Sequence, residues 1–198
     1  MKFKNKKIKF NRGMTYIELI IVLGIFSIMS STIIFNYAKF QEKIDIRNLS
    51  NEIALKIVEA QKTAMSGKFQ NNAPIGWRPS YGIYFNISNP SSFTYFADYD
   101  SNQQYDEGSG GCLNSGTECL DSINITKNNR INSINVFGNG CPSSVNDIDI
   151  VYTRPNVGAS FYSPTLNCTV SYISVKIISP QSVSANIDIY PSGQVQIK

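Results

Sequence analysis

Gly13-Met14-Thr15-Tyr16-Ile17-Glu18-Leu19-Ile20 places one carboxylate at the threshold of a run otherwise fit to span a membrane. Upstream lie Lys2, Lys4, Lys6, Lys7, Lys9 and Arg12 with no acidic residue, and downstream no charged side chain occurs from Leu19 to Ala38. A carboxylate inside a membrane segment costs roughly 2.5 to 3.5 kcal/mol on insertion scales, so it marks a functional partner. Cleavage between Gly13 and Met14 would create one. The new α-amine stands four residues before Glu18, and the same amine on a neighbouring chain can pair with it.

The 198 residues allow one modest domain plus its anchor. The formal charge of +4 invites a nucleic-acid reading, but removing the six leader cations turns it into −2. Those cations hold the N-terminus in the cytoplasm by the positive-inside tendency. Cys112, Cys119, Cys141 and Cys168 all follow the anchor, on the exported side, where an even number implies two disulfides. Of three connectivities, the short separation of Cys112 and Cys119 favours pairing them, which leaves Cys141 with Cys168. A zinc site is disfavoured, because the chain has no His and the spacings lack CxxC pairs.

Beyond the apolar run, Ile44, Ile46, Leu49, Ile53, Ile57, Ala60, Ala64 and Met65 recur mostly in steps of three or four, the signature of one helical face. No Pro interrupts this stretch, and Gly67 supplies a stop. A single helix of about 50 residues would be about 75 Å long. From Pro79 the period becomes two. Strands are expected over 81–87, 92–99, 122–127, 131–137, 147–153, 169–178 and 185–190, with a last one over 194–198 after the Pro191-Ser192-Gly193 turn. The expected class is α+β: a long N-terminal helix packed by its C-terminal half on an antiparallel β-sheet domain.

Gly13, Met14 and Glu18, with the following Thr15 to Ile20 pattern, resemble the processing site of type IV prepilins and pseudopilins. The resemblance covers about 50 residues and implies a pilin-like fold with three parts: a basic leader over 1–13 that is cleaved, a long helix over 14–66 whose transmembrane part is about 17–38, and an exported β-rich domain over 67–198. It implies that a prepilin peptidase cuts after Gly13 and methylates the Met14 amine. Glu18 would then guide docking among other pilin subunits, at an inner-membrane assembly platform driven by a separate ATPase. The location implied is the bacterial inner membrane, single-pass with the N-terminus cytoplasmic, then a periplasmic pseudopilus or a surface pilus. A secretory signal also opens basic, but its cleavage site follows the apolar core. A plain anchor accounts for the hydropathy but not for Gly13 and Glu18 at this spacing.

Within that class, Tyr81 to Phe85, Phe96-Ala97-Asp98 with its Asp/Asn loop, and the terminal Ser-Gly-Gln-Val hairpin resemble H-type pseudopilins of type II secretion and FimT-type minor pilins. Asp98, Asp100, Asn102, Gln104 and Asp106 place oxygen ligands at every second residue, like the first half of an EF-hand-like calcium loop. The pattern departs at its sixth position, where Gly is missing, and at Ser109, where the bidentate Glu would stand; Glu107 fits only in another geometry. The competing reading is a polar loop of Asx turns. Without His there is no Ser-His or Cys-His pair, and Gly108-Ser109-Gly110-Gly111 lacks the Lys and Ser/Thr of a phosphate loop, so no enzyme is expected. The alternative function is a DNA-binding minor pilin acting in DNA uptake. Against it, only Lys176 and Lys198 lie beyond Arg154, too few for a phosphate-binding stripe.

Overall fold

A computed structural model describes residues 13–70, 73, 75–108, 112, 117–156 and 158–198, with positions 35, 36 and 38 as backbone alone. The basic leader lies outside the described residues except for Gly13. One helix, α1, spans Tyr16–Ser66, and the chain divides into two compact units at Gln41/Glu42.

In the first unit, α1 is long and apolar enough to cross a bilayer, which is compatible with a single-pass anchor. Its large side chains are exposed on every side, including Ile17, Leu23, Ile25, Phe26 and Ile33. A helix that is apolar all round belongs in a membrane or a core.

In the second unit, α1 buries a single stripe: Ile46, Leu49, Ile53, Ile57, Ala60 and Ala64. Ile44 and Met65 fall off that stripe and stay exposed. The helix stops at Gly67, whose φ of +67° is the left-handed conformation that glycine adopts without strain. Its N–H donates to the Ala64 carbonyl at 3.1 Å.

Ten strands follow: β1 Ser80–Asn86, β2 Ser92–Ala97, β3 Cys119–Asn124, β4 Arg130–Asn139, β5 Ser144–Val145, β6 Asp147–Thr153, β7 Ala159–Tyr162, β8 Thr169–Ile178, β9 Ser184–Ile189 and β10 Val195–Ile197. They form two five-stranded antiparallel sheets rather than one. The orders are β3-β2-β1-β6-β7 and β10-β9-β8-β4-β5. The expected strand over 122–127 begins three residues earlier, at Cys119, while β5 and β7 were not expected at all.

Alternation decides which residues enter the core. Tyr81, Ile83 and Phe85 on β1, Phe93 and Tyr95 on β2, and Ile148, Ile150 and Tyr152 on β6 join Ile173, Val175 and Ile177 of β8 and the α1 stripe in one cluster. On β4 the inward parity changes from Ile131 to Ile134 and Val136. A register irregularity between Ile131 and Ser133 accounts for this, because one extra residue turns the following side chains to the other face.

The reverse face of the first sheet is also covered. Gly82 pairs with Phe96 across β1 and β2, and a Cβ on Gly82 would stand 2.6 Å from the Phe96 ring. The ring therefore occupies the space a side chain would need. Tyr105 packs on this ring at 5.4 Å and on Tyr84 at 5.2 Å, so the loop after β2 closes over the face opposite the helix.

Candidate functional site

The N-terminal constellation is built by the start of α1. Because the helix begins at Tyr16, Thr15 occupies the N-cap. Its hydroxyl accepts the Glu18 N–H at 3.4 Å and its carbonyl accepts the Leu19 N–H at 3.1 Å. Glu18 is thus the third residue of the helix, where a carboxylate is favoured by the positive end of the helix dipole. Gly13 has open space where a Cβ would be, and Met14 is 62% exposed. Both residues of the expected cleavage bond lie just outside the helix and accessible. The Thr15-x-x-Glu18 capping pattern was readable in the sequence and gives Glu18 a local role beside any pairing with an amine.

The second constellation is the loop from Asp98 to Gly108. Asp98, Asp100 and Glu118 bring one carboxylate oxygen each to within 4.8 Å of one another. Asp98 accepts the N–H groups of Asn102 at 3.2 Å and Gln103 at 3.1 Å, while Asp100 accepts the Asn102 N–H at 3.1 Å. The Asn102 amide donates to Asp100 at 2.8 Å and to Asp106 at 3.1 Å. Gln104 enters through its backbone, whose N–H donates to the Asn102 side chain at 2.6 Å. Asp98, Asp100, Asn102 and Asp106 are therefore in one network. The third converging carboxylate is Glu118, which the every-second-residue pattern does not contain. Ser109, at the twelfth position of that pattern, lies outside the described residues together with Gly110 and Gly111.

Glu118 binds the loop from beneath. It accepts the Tyr99 N–H at 2.7 Å and the Asp106 N–H at 3.0 Å. Burial pushes its carboxyl up to about 7; those two N–H groups oppose the shift, and the nearby Asp98 and Asp100 add to it. Asp149 on β6 accepts the Tyr105 N–H at 3.2 Å. Burial, reinforced by Asp147, Glu118 and Asp106, pushes it up to about 8. Asp98 is raised as well, first by burial. Three convergent carboxylate oxygens are donors that could hold a hard cation, yet the same oxygens already organise the loop by accepting its backbone N–H groups. Neither Glu118, just before β3, nor Asp149, which follows Asp147 by two residues on β6, carries a sequence signal that ties it to the loop after β2.

The two disulfides join Cys112 to Cys119 and Cys141 to Cys168. The first ties the region after the acidic loop to the start of β3; the second links the end of β4 to the start of β8. Closing a loop of that second length removes conformations from the unfolded chain, an effect of about 3.5 kcal/mol in the chain-entropy account. Comparison with protein-family models, with curated proteins and with solved structures gives no match for this chain.

Proposed function

We propose that this chain is a pilin-like structural subunit, a minor pilin or pseudopilin of a type IV pilus or a type II secretion system. One observation carries the reading: a 51-residue helix starts within three residues of Gly13, with Glu18 in its first turn. That arrangement supports a specific order of events. A prepilin peptidase cuts the accessible Gly13–Met14 bond, the Met14 amine is methylated, and the helix remains in the bilayer until an ATPase-driven platform moves it into a filament. In the filament Glu18 pairs with the amine of a neighbouring subunit, so the carboxylate is neutralised where no water can solvate it. The β-domain and its disulfides stay on the exported side and set lateral contacts. No catalytic role is assigned.

The test is intact-mass and peptide mass spectrometry of the membrane-extracted protein, produced with a prepilin peptidase and kept non-reduced. The expected chain begins at methylated Met14. Retention of residues 1 to 13, or a cut beyond the apolar run, defeats the reading. Glu18 needs a paired test because of its capping position. Glu18→Ala and Glu18→Gln should both be cleaved normally and both be lost from filaments, since Gln keeps a residue suited to the third helical position but removes the charge. Normal filament content in the Gln variant would reduce Glu18 to a helix cap.

A further inference from the structure

A groove of about 480 Å³ runs between α1 and the β9–β10 edge of the second sheet. Its walls carry Lys43, Arg47 and Lys198, and its apolar lining comes from Ile46, Val183 and Ile197. The three cations are not equivalent. Lys198 is held by Asp188 at 2.6 Å. Lys43 and Arg47 have no acidic partner within ion-pair distance among the described residues.

Acids on the neighbouring turns are engaged elsewhere. Glu42 accepts the Ser179 hydroxyl and the Gln181 N–H, and Asp45 pairs with Lys127. Lys43 and Arg47 are four residues apart on one helix, so the two cations repel each other unless an anion sits between them. Lys39 repeats the same spacing one turn earlier in the sequence. Cations on the exported flank of a span also run against the positive-inside tendency, which leaves their presence to be explained.

We infer that this groove binds the headgroup of an anionic phospholipid in the exported leaflet. Lys43 and Arg47 hold the phosphate, Arg47 by two parallel N–H donors, and the glycerol and first acyl carbons lie on Val183 and Ile197. The inference rests on the membrane anchor in the proposed function. Lys43 follows the uncharged run by five residues, and at about 3.3 to 3.6 Å per residue the chain cannot carry it more than roughly 18 Å from the end of that run. The groove is thus tethered close to the headgroup layer.

Native mass spectrometry of the full chain in nanodiscs of equal phosphatidylglycerol and phosphatidylcholine tests this. Phosphatidylglycerol should be retained preferentially, and Lys43→Gln with Arg47→Gln should reduce that preference about 25-fold, at about fivefold per cation. Lys62→Gln with Lys68→Gln should leave it unchanged. Equal retention of both lipids, or an unaltered preference in the first double variant, overturns the inference while leaving the anchor intact. Displacement of the lipid by inorganic phosphate would make this a free-anion site and also overturns it. So does a lipid-independent dimer that the first double variant abolishes, because the groove then receives an acidic segment of a second copy. A folded chain that stays outside discs of either composition refutes the anchor and the groove assignment together.

Discussion

The two halves of α1 obey the same helical geometry and meet different solvents. In the first half Ile25 is 54% and Ile33 67% exposed, whereas Ile53 and Ile57 in the second half are 0% exposed. The sequences differ accordingly. Leu19-Ile20-Ile21-Val22-Leu23 is continuous, while Ile46, Leu49, Ile53, Ile57, Ala60 and Ala64 are spaced by three and four. A stripe is satisfied by one partner surface, and here the chain's own sheets supply it. A helix apolar on all sides is not satisfied by a single partner surface and is suited to an apolar medium such as the interior of a bilayer. Truncation on each side measures the difference. Ile53→Ala should destabilise the β-domain by about 2 to 5 kcal/mol, through lost burial and a residual cavity. Ile25→Ala should change it by less than about 0.5 kcal/mol. Thermal unfolding of the detergent-solubilised full chain reads both, and equal effects would break the division.

The second unit also differs in carrying buried carboxylates. With Asp149 and Glu118 raised to about 8 and about 7, the folded chain holds more protons than the unfolded chain from the ordinary carboxylate range near 4 up to those values. Their contribution is fully present below pH 4 and is lost as pH rises through 7 and 8. The domain should therefore be less stable at pH 8.5 than at pH 5, by on the order of 1 to 3 kcal/mol, read as denaturant midpoints at the two pH values. Asp149→Asn should flatten the slope, and so should Glu118→Gln, even though the latter costs the loop one of its two acceptors. An unchanged slope in both variants would remove these groups as its origin. Millimolar calcium in the same titration raises the pH 8.5 midpoint if the Asp98, Asp100 and Glu118 oxygens take the ion; an unmoved midpoint leaves them as loop organisers.

Local signals and non-local ones were unequally legible in the chain. The helix stripe, the Gly67 stop and the turn at Pro191 to Gly193 are short-range features, and reading them needs no knowledge of the rest of the fold. Gly193, for example, has a φ of +85° and donates to the Tyr190 carbonyl at 2.8 Å, as the turn requires. The split into two sheets is different. Period two says which face a residue takes but not which strand lies beside it, and β6 joins β1 across more than 60 residues of chain while β4 and β5 go to the other sheet. β7 is an edge strand of four residues, Ala159 to Tyr162, held by β6, so its own pattern is too short to announce it. Glu118 and Asp149 were missed for the same reason: they converge on a loop from distant strands. The Thr15 cap, with Glu18 at the third helical position, is a local signal left unread, because the membrane cost of the Glu18 charge drew the reading toward a distant partner.

A comparably small stability effect is expected on a face of the second half that the sheets leave bare. Leu55 is 69% exposed, on the side of α1 away from Ile53 and Ile57, and beside it Lys56 pairs with Glu59 at 3.1 Å. An isolated exposed leucine is ordinary on a protein surface. If the proposed filament forms contacts through this face, Leu55 is covered there as Ile53 already is within the subunit. Leu55→Ser separates the two situations. Domain stability should move by no more than about 0.5 kcal/mol, while subunit recovered in sheared filaments should fall severalfold. Unchanged filament content would mean that assembly contacts run through the apolar half of the helix alone, so that the contrast between the halves extends to the assembled state as well.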